Sequence, residues 1–131
     1  MIRTHPHHSR AVPVLKQVQQ GQLEGVISAH SLAECYSVIT GFPRPHRLSP
    51  AKTWQLLQQD VLAFMPVFAL AADDYRDILQ HLVKNGLAGG VTYDAVIAWV
   101  AMQTQVDQII TFNTRDFRRV VPTLTAQVIT P

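Results

Sequence analysis

GLAGGVTYDAVIAWVAMQTQVDQIITFNTRDF, residues 86–117, is the stretch whose reading decides the fold. The glycines of GLAGG mark a loop. Thr92 can cap a helix in which Ala95, Val96, Ala98, Trp99 and Met102 recur at helical spacing. QIIT, residues 108–111, is a short β-branched run suited to a buried strand. The stretch therefore reads as loop, helix, strand. Packing alone demands neither of its two unexplained acids, Asp94 at the start of the helix and Asp116 just past the strand.

Outward from this unit the pattern repeats. Toward the C-terminus, QVIT at 127–130 is a second β-branched run. Toward the N-terminus, Tyr75, Ile78, Leu79, Leu82 and Val83 give helical spacing from about Ala72 to Asn85, with Gly86 where a left-handed cap belongs. PVFALA before it is a strand candidate. Ser49-Pro50, an N-cap followed by a first-turn proline, closes the Pro-punctuated loop GFPRPHRLSP and opens a helix lined by Trp54, Leu57, Val61 and Leu62. Val26 and Ile27 predict a short strand, and Leu32, Cys35, Val38 and Ile39 a helix after it. A first helix after Pro6 carries Ala11, Val14, Leu15 and Val18 on one face despite Pro13, and ends near Gly21. Helices alternating with short buried strands predict an α/β layer with a mostly parallel sheet, where ligand chemistry gathers at the carboxyl ends of the strands.

The 131 residues fit one domain spanning 1–131, without internal repeats or low-complexity tracts. The chain is 47% hydrophobic and 15% charged, and it lacks an apolar run near the roughly 18–20 residues of a membrane span. The segment MIRTHPHHSR has no apolar core of a secretory signal, and the single Cys35 cannot form an internal disulfide, which together lead us to expect a cytoplasmic protein. A net charge of +2 permits a phosphate-rich partner without arguing for one.

On this map Glu34, Asp94 and Asp116 can converge on one rim of the sheet. Clustered carboxylates repel unless a hard cation neutralises them, and Mg²⁺ or Mn²⁺ with oxygen ligands suits the task. A cation so held polarises a phosphoryl oxygen and acidifies water, which is the chemistry of phosphodiester hydrolysis. Each acid also has a structural explanation. SLAE, Ser31 to Glu34, has the form of a capping box, Asp94 in a first turn is favoured by the helix dipole, and Asp116 fits an exposed turn.

Taken together, SAHSLAECYSVIT, VTYDAVIAWVA and IITFNTRDF resemble the acidic motifs of the PIN-domain family, above all the VapC-like ribonuclease toxins of toxin–antitoxin modules. The resemblance also takes in HPHHSRAV, RLSPAKTW and VITP. It implies a three-layer α/β/α fold and a Mg²⁺- or Mn²⁺-dependent endoribonuclease, with RNA as substrate, a cognate antitoxin as partner and a homodimer as assembly. Glu34 matches the second acid of the family and Asp94 the third. For the fourth, the segment offers Asn113 and Asp116. Asp116 is the expected ligand because a carboxylate binds a hard cation more strongly than an amide, with Asn113 and Thr111 in support. The alternative is a PIN-like module whose metal site has decayed and which binds RNA or an antitoxin without cleavage.

Family members open with an apolar strand in the middle of the sheet that ends in the first Asp. This sequence opens inside the first helix, so that strand and that acid have no counterpart, and two neighbouring strands would lose their partner. The expectation is that Met1 is an internal methionine or the chain a truncation, with the reading frame continuing upstream into such a strand.

Other residues are read more plainly. His5, His7 and His8 fit a solvated helix start, and His30 is a rim residue that could meet RNA phosphate. Cys35 fits a small buried hydrophobe and not a nucleophile. Arg44, His46 and Arg47, and Arg115, Arg118 and Arg119, are the local basic groups, of which Arg115 stands nearest the expected site; contact with RNA phosphate and a solvated basic turn are equal readings of it. Trp54 and Trp99 are read as packing residues, in part as a dimer surface.

Overall fold

The computed structural model describes residues 8–111, 114–124 and 126–131. Contacts divide the chain into a first unit that ends at Phe68 and a second unit, Ala69–Pro131.

In the first unit, helix α1 (His8–Gln19) accommodates Pro13 and is followed by Gly21 at φ +75°, a conformation open to glycine. Strand β1 (Ile27–Ser28) pairs in parallel with β2 (Val67–Phe68), with Ile27 opposite Val67. Helices α2 (Ala29–Gly41) and α3 (Pro50–Leu57) form the crossover that a parallel pair requires. α2 starts where β1 stops because Ser28 Oγ accepts from the Ser31 amide at 2.9 Å. At α3 the predicted cap is in place: Ser49 Oγ accepts from the Lys52 amide at 3.2 Å, with Pro50 in the first turn. α3 runs straight into a π-helical turn, Gln58–Leu62. The wider turn shifts the phase of the side chains within and after it, Val61 and Leu62 of the predicted face, whereas Trp54 and Leu57 precede it. Leu57 is 2% exposed, whereas Trp54 is 49% exposed. Among the described residues of this unit, burial is limited to Ser28, Thr53 and Leu57.

The second unit holds a fuller core. Helix α4 (Ala72–Lys84) contributes Ile78 and Leu82, and α5 (Val91–Thr104) contributes Val91, Ala95, Val96, Ala98 and Ala101. Strand β3 (Gln108–Ile110) adds Ile109, helix α6 (Thr114–Val120) adds Phe117 and Val120, and β4 (Gln127–Ile129) adds Val128. β3 and β4 are parallel with Ile109 opposite Val128, and the Thr111 amide donates to the Ile129 carbonyl at 3.0 Å, extending the ladder. Asp74 joins two helices. One carboxylate oxygen accepts from the Ala71 amide at 2.8 Å and the other from Gln103 Nε2 of α5 at 2.6 Å.

The fold is the α/β architecture expected, with parallel strands and crossover helices. Several local expectations change. The parallel strands form two separate pairs among the described residues, and none of them joins both. Gly90, not Thr92, precedes α5, so Thr92 lies inside the first turn. On α4 only Ile78 and Leu82 of the predicted stripe are buried, while Tyr75, Leu79 and Val83 are exposed. Asp116 sits in a helix and not in an exposed turn. TRDFRRV carries too few apolar residues for periodicity to reveal one.

Candidate active site

Asp94 occupies the first turn of α5, and its residue is partly buried. Asp116 occupies the first turn of α6 and is likewise partly buried. α5 ends at Gln105, whose left-handed backbone (φ 53°) reverses the chain into β3. α5 and β3 share one core, and α6 follows β3. α5 and α6 pack on each other. Thr111 lies between β3 and α6, partly buried, and Arg115 and Arg119 on α6 are exposed.

Glu34 belongs to the first unit, on the second turn of α2. The capping-box reading of Ser31 to Glu34 does not hold, because the N-cap is Ser28 and Glu34 lies too deep in the helix to reach it. The carboxylate instead stands 3.1 Å, at Oε2, from His30 Nε2, and is 56% exposed. His30, read from sequence as a rim residue, is thus a neighbour of Glu34. Their i, i+4 spacing was the available signal. Asn113, together with Pro6, His5 and His7, lies outside the described residues. Among the described residues no three His, Cys, Asp or Glu side chains gather in a metal-holding group. The donor chemistry of Asp94 and Asp116 nevertheless suits a hard cation, since both offer anionic oxygen from packed helices.

The PIN domain family model matches residues 1–121. The chain belongs to the PIN-domain family. Among curated relatives of this PIN domain, ribonuclease VapC40 of Mycobacterium tuberculosis, strains CDC 1551 and H37Rv, is 33% identical over 117 residues, covering 88% of this chain and 78% of the relative. Ribonuclease VapC27 of strain H37Rv is 30% identical over 118 residues, covering 90% and 77%. No solved structure matches. Among the described residues of the PIN domain, no helix is long and apolar enough to cross a membrane.

Cys35 stands beside Glu34 and is partly buried. Burial pushes its thiol pKa above 9.0, and the Glu34 charge adds to the rise. A raised folded-state value stabilises the fold fully below the unfolded thiol pKa and loses that contribution as pH climbs through the folded value. Iodoacetamide at pH 8–9 is expected to alkylate Cys35 more slowly in the native protein than in urea, because the thiolate is the nucleophile. Equal rates, followed by mass spectrometry, would mean that the thiol is not held back by the fold.

Proposed function

We propose that this PIN domain is a metal-dependent endoribonuclease, the toxin of a toxin–antitoxin module, acting in the cytoplasm on RNA. The observation that carries the reading is the pair of partly buried carboxylates, Asp94 and Asp116, on the first turns of two packed helices. Its relatives VapC40 and VapC27 are named ribonucleases. Asp94 and Asp116 would hold Mg²⁺ or Mn²⁺. When bound, such an ion supplies Lewis-acid polarisation of the scissile phosphate and activation of water. The chain's own part is positional. Helices α5 and α6 carry the two Asp side chains, Thr111 precedes α6, and the exposed Arg115 guanidinium offers a fork to backbone phosphate. A cognate antitoxin would insert an Arg or Lys toward the same carboxylates and compete with the cation. A homodimer fits the exposed apolar residues of α4, Tyr75, Leu79 and Val83.

The test is cleavage of a labelled RNA pool by the purified chain. Cleavage is expected with Mn²⁺ or Mg²⁺ and is expected to be lost with EDTA. EDTA-insensitive cleavage would overturn the metal assignment. The alternative is a module that binds RNA or an antitoxin without cutting. Retained RNA binding with no cleavage at millimolar Mn²⁺ would select it.

A further inference from the structure

In the first unit, residues 35–59 hold Arg44, Arg47 and Lys52 and no Asp or Glu, a formal +3 in a chain whose net charge is +2. These cations stand on the loop between α2 and α3 and on the helical turn that follows it. The Leu48 amide donates to the Ile39 carbonyl at 3.4 Å and the His46 amide to the Pro43 carbonyl at 3.1 Å, so the loop folds back on the end of α2. Arg47 Nε donates to the Phe42 carbonyl at 2.9 Å. That bond fixes the guanidinium plane and leaves its two terminal amino groups, a fork that matches phosphate, pointing elsewhere. Lys52 is tied to the same loop, because its amide donates to the Ser49 cap at 3.2 Å. Arg44, His46, Arg47 and Lys52 are all exposed, and among the described residues none of Arg44, Arg47 and Lys52 joins an ion pair.

A protein partner fits this surface poorly. Protein interfaces are built around an apolar centre from which charge is depleted, and from Ile39 to Thr53 no large hydrophobic side chain is exposed. Cations without carboxylate partners on a tied-back loop suit a run of phosphates, which Arg and Lys bind without regard to base sequence. We infer that the loop carrying Arg44 and Arg47, with Lys52 of α3, is a binding surface for the phosphate backbone of RNA. The inference rests on the reading of RNA as substrate above and uses none of the carboxylates.

The experiment follows a labelled, unstructured RNA of about 20 nucleotides on the full chain by fluorescence anisotropy, in EDTA, from about 0.05 to about 1 M KCl, since the slope of log affinity against log salt counts neutralised phosphates. For single strands each contact contributes roughly 0.7 to that slope. The triple variant Arg44→Gln, Arg47→Gln, Lys52→Gln is expected to lower the slope by about 2 and to bind about 100-fold more weakly at about 0.1 M salt, with the affinities converging near about 1 M. Lys16→Gln, Arg76→Gln, Lys84→Gln removes the same charge from exposed positions elsewhere and is expected to lose less than about fivefold, the worth of one contact at that salt. Circular dichroism checks folding. Should the loop variant not fold, Arg44→Gln, Lys52→Gln, which keeps the Arg47–Phe42 bond, takes its place with a slope lower by about 1.4. Equal weakening by the two triple variants means that net charge alone acts, and overturns the inference. An unchanged slope, as a merely solvated turn would give, overturns it too. If the loop variant keeps RNA binding but loses binding of a polyglutamate peptide, the loop receives an acidic protein segment and the inference falls. A parent chain that binds no RNA even at about 0.05 M salt defeats the substrate reading and this inference together. RNA held through the loop yet left uncut in Mn²⁺ supports the inference and defeats the nuclease reading alone.

Discussion

Asp94→Asn is expected to slow single-turnover RNA cleavage in Mn²⁺ by about 10²–10³-fold, the loss typical when one preorganised electrostatic group is removed from a reacting centre. The substitution is chosen to separate two explanations of one residue. Asn has nearly the shape of Asp and keeps an acceptor oxygen, so it preserves the first turn of α5, which lacks any side-chain cap of its own at Gly90. What it removes is the charge. If Asp94 serves only the helix dipole, the loss is about 0.3–1 kcal/mol of stability, visible as a small drop in melting temperature with cleavage intact. If Asp94 is a ligand, cleavage falls while the far-ultraviolet circular dichroism and melting temperature stay close to the parent. Asp116→Asn should fall in the same range. A folded Asp94→Asn chain that cuts RNA at the parental rate would remove Asp94 from the mechanism.

The part of the fold that strong local chemistry writes was legible before any coordinates. Ser49-Pro50 capped its helix as read, Gly86 took a positive φ of +64°, and the runs at 108–110 and 127–129 paired as parallel strands. The three acids could be named from motifs because their spacing carries the family resemblance. What remained hidden was set by tertiary context. Tyr75, Leu79 and Val83 have the spacing of a buried stripe, yet the core takes only Ile78 and Leu82, and periodicity cannot say how wide the covering surface is. The π-helical turn after Leu57 has no local signature and rotates everything that follows it. His81 was read neither as core nor as site, because its hydrogen-bond partner, the Val120 carbonyl, lies 39 positions away.

Phe117→Ala is expected to cost about 3–5 kcal/mol, the range for deleting a buried aromatic side chain. Phe117 is 2% exposed, is among the largest fully enclosed side chains, and belongs to the cluster built from α4, α5, β3 and β4. α6 spans 7 residues, too few for a helix to be stable by its own hydrogen bonds. Its attachment therefore depends on what it buries, and Phe117 with Val120 is that anchor. For a chain of this length the loss corresponds to a melting temperature lower by roughly 10–20 °C, a large share of a typical total of about 5–15 kcal/mol. Because Asp116 and Arg115 are carried on the same short helix, cleavage should fall even at temperatures where the rest of the unit remains folded. Phe117→Leu, which refills much of the volume, should recover most of the stability and most of the activity. Differential scanning calorimetry with parallel cleavage assays decides the matter: a Phe117→Ala chain that melts within about 2 °C of the parent would show that α6 is not docked through this ring, and the placing of Asp116 beside α5 would fall with it.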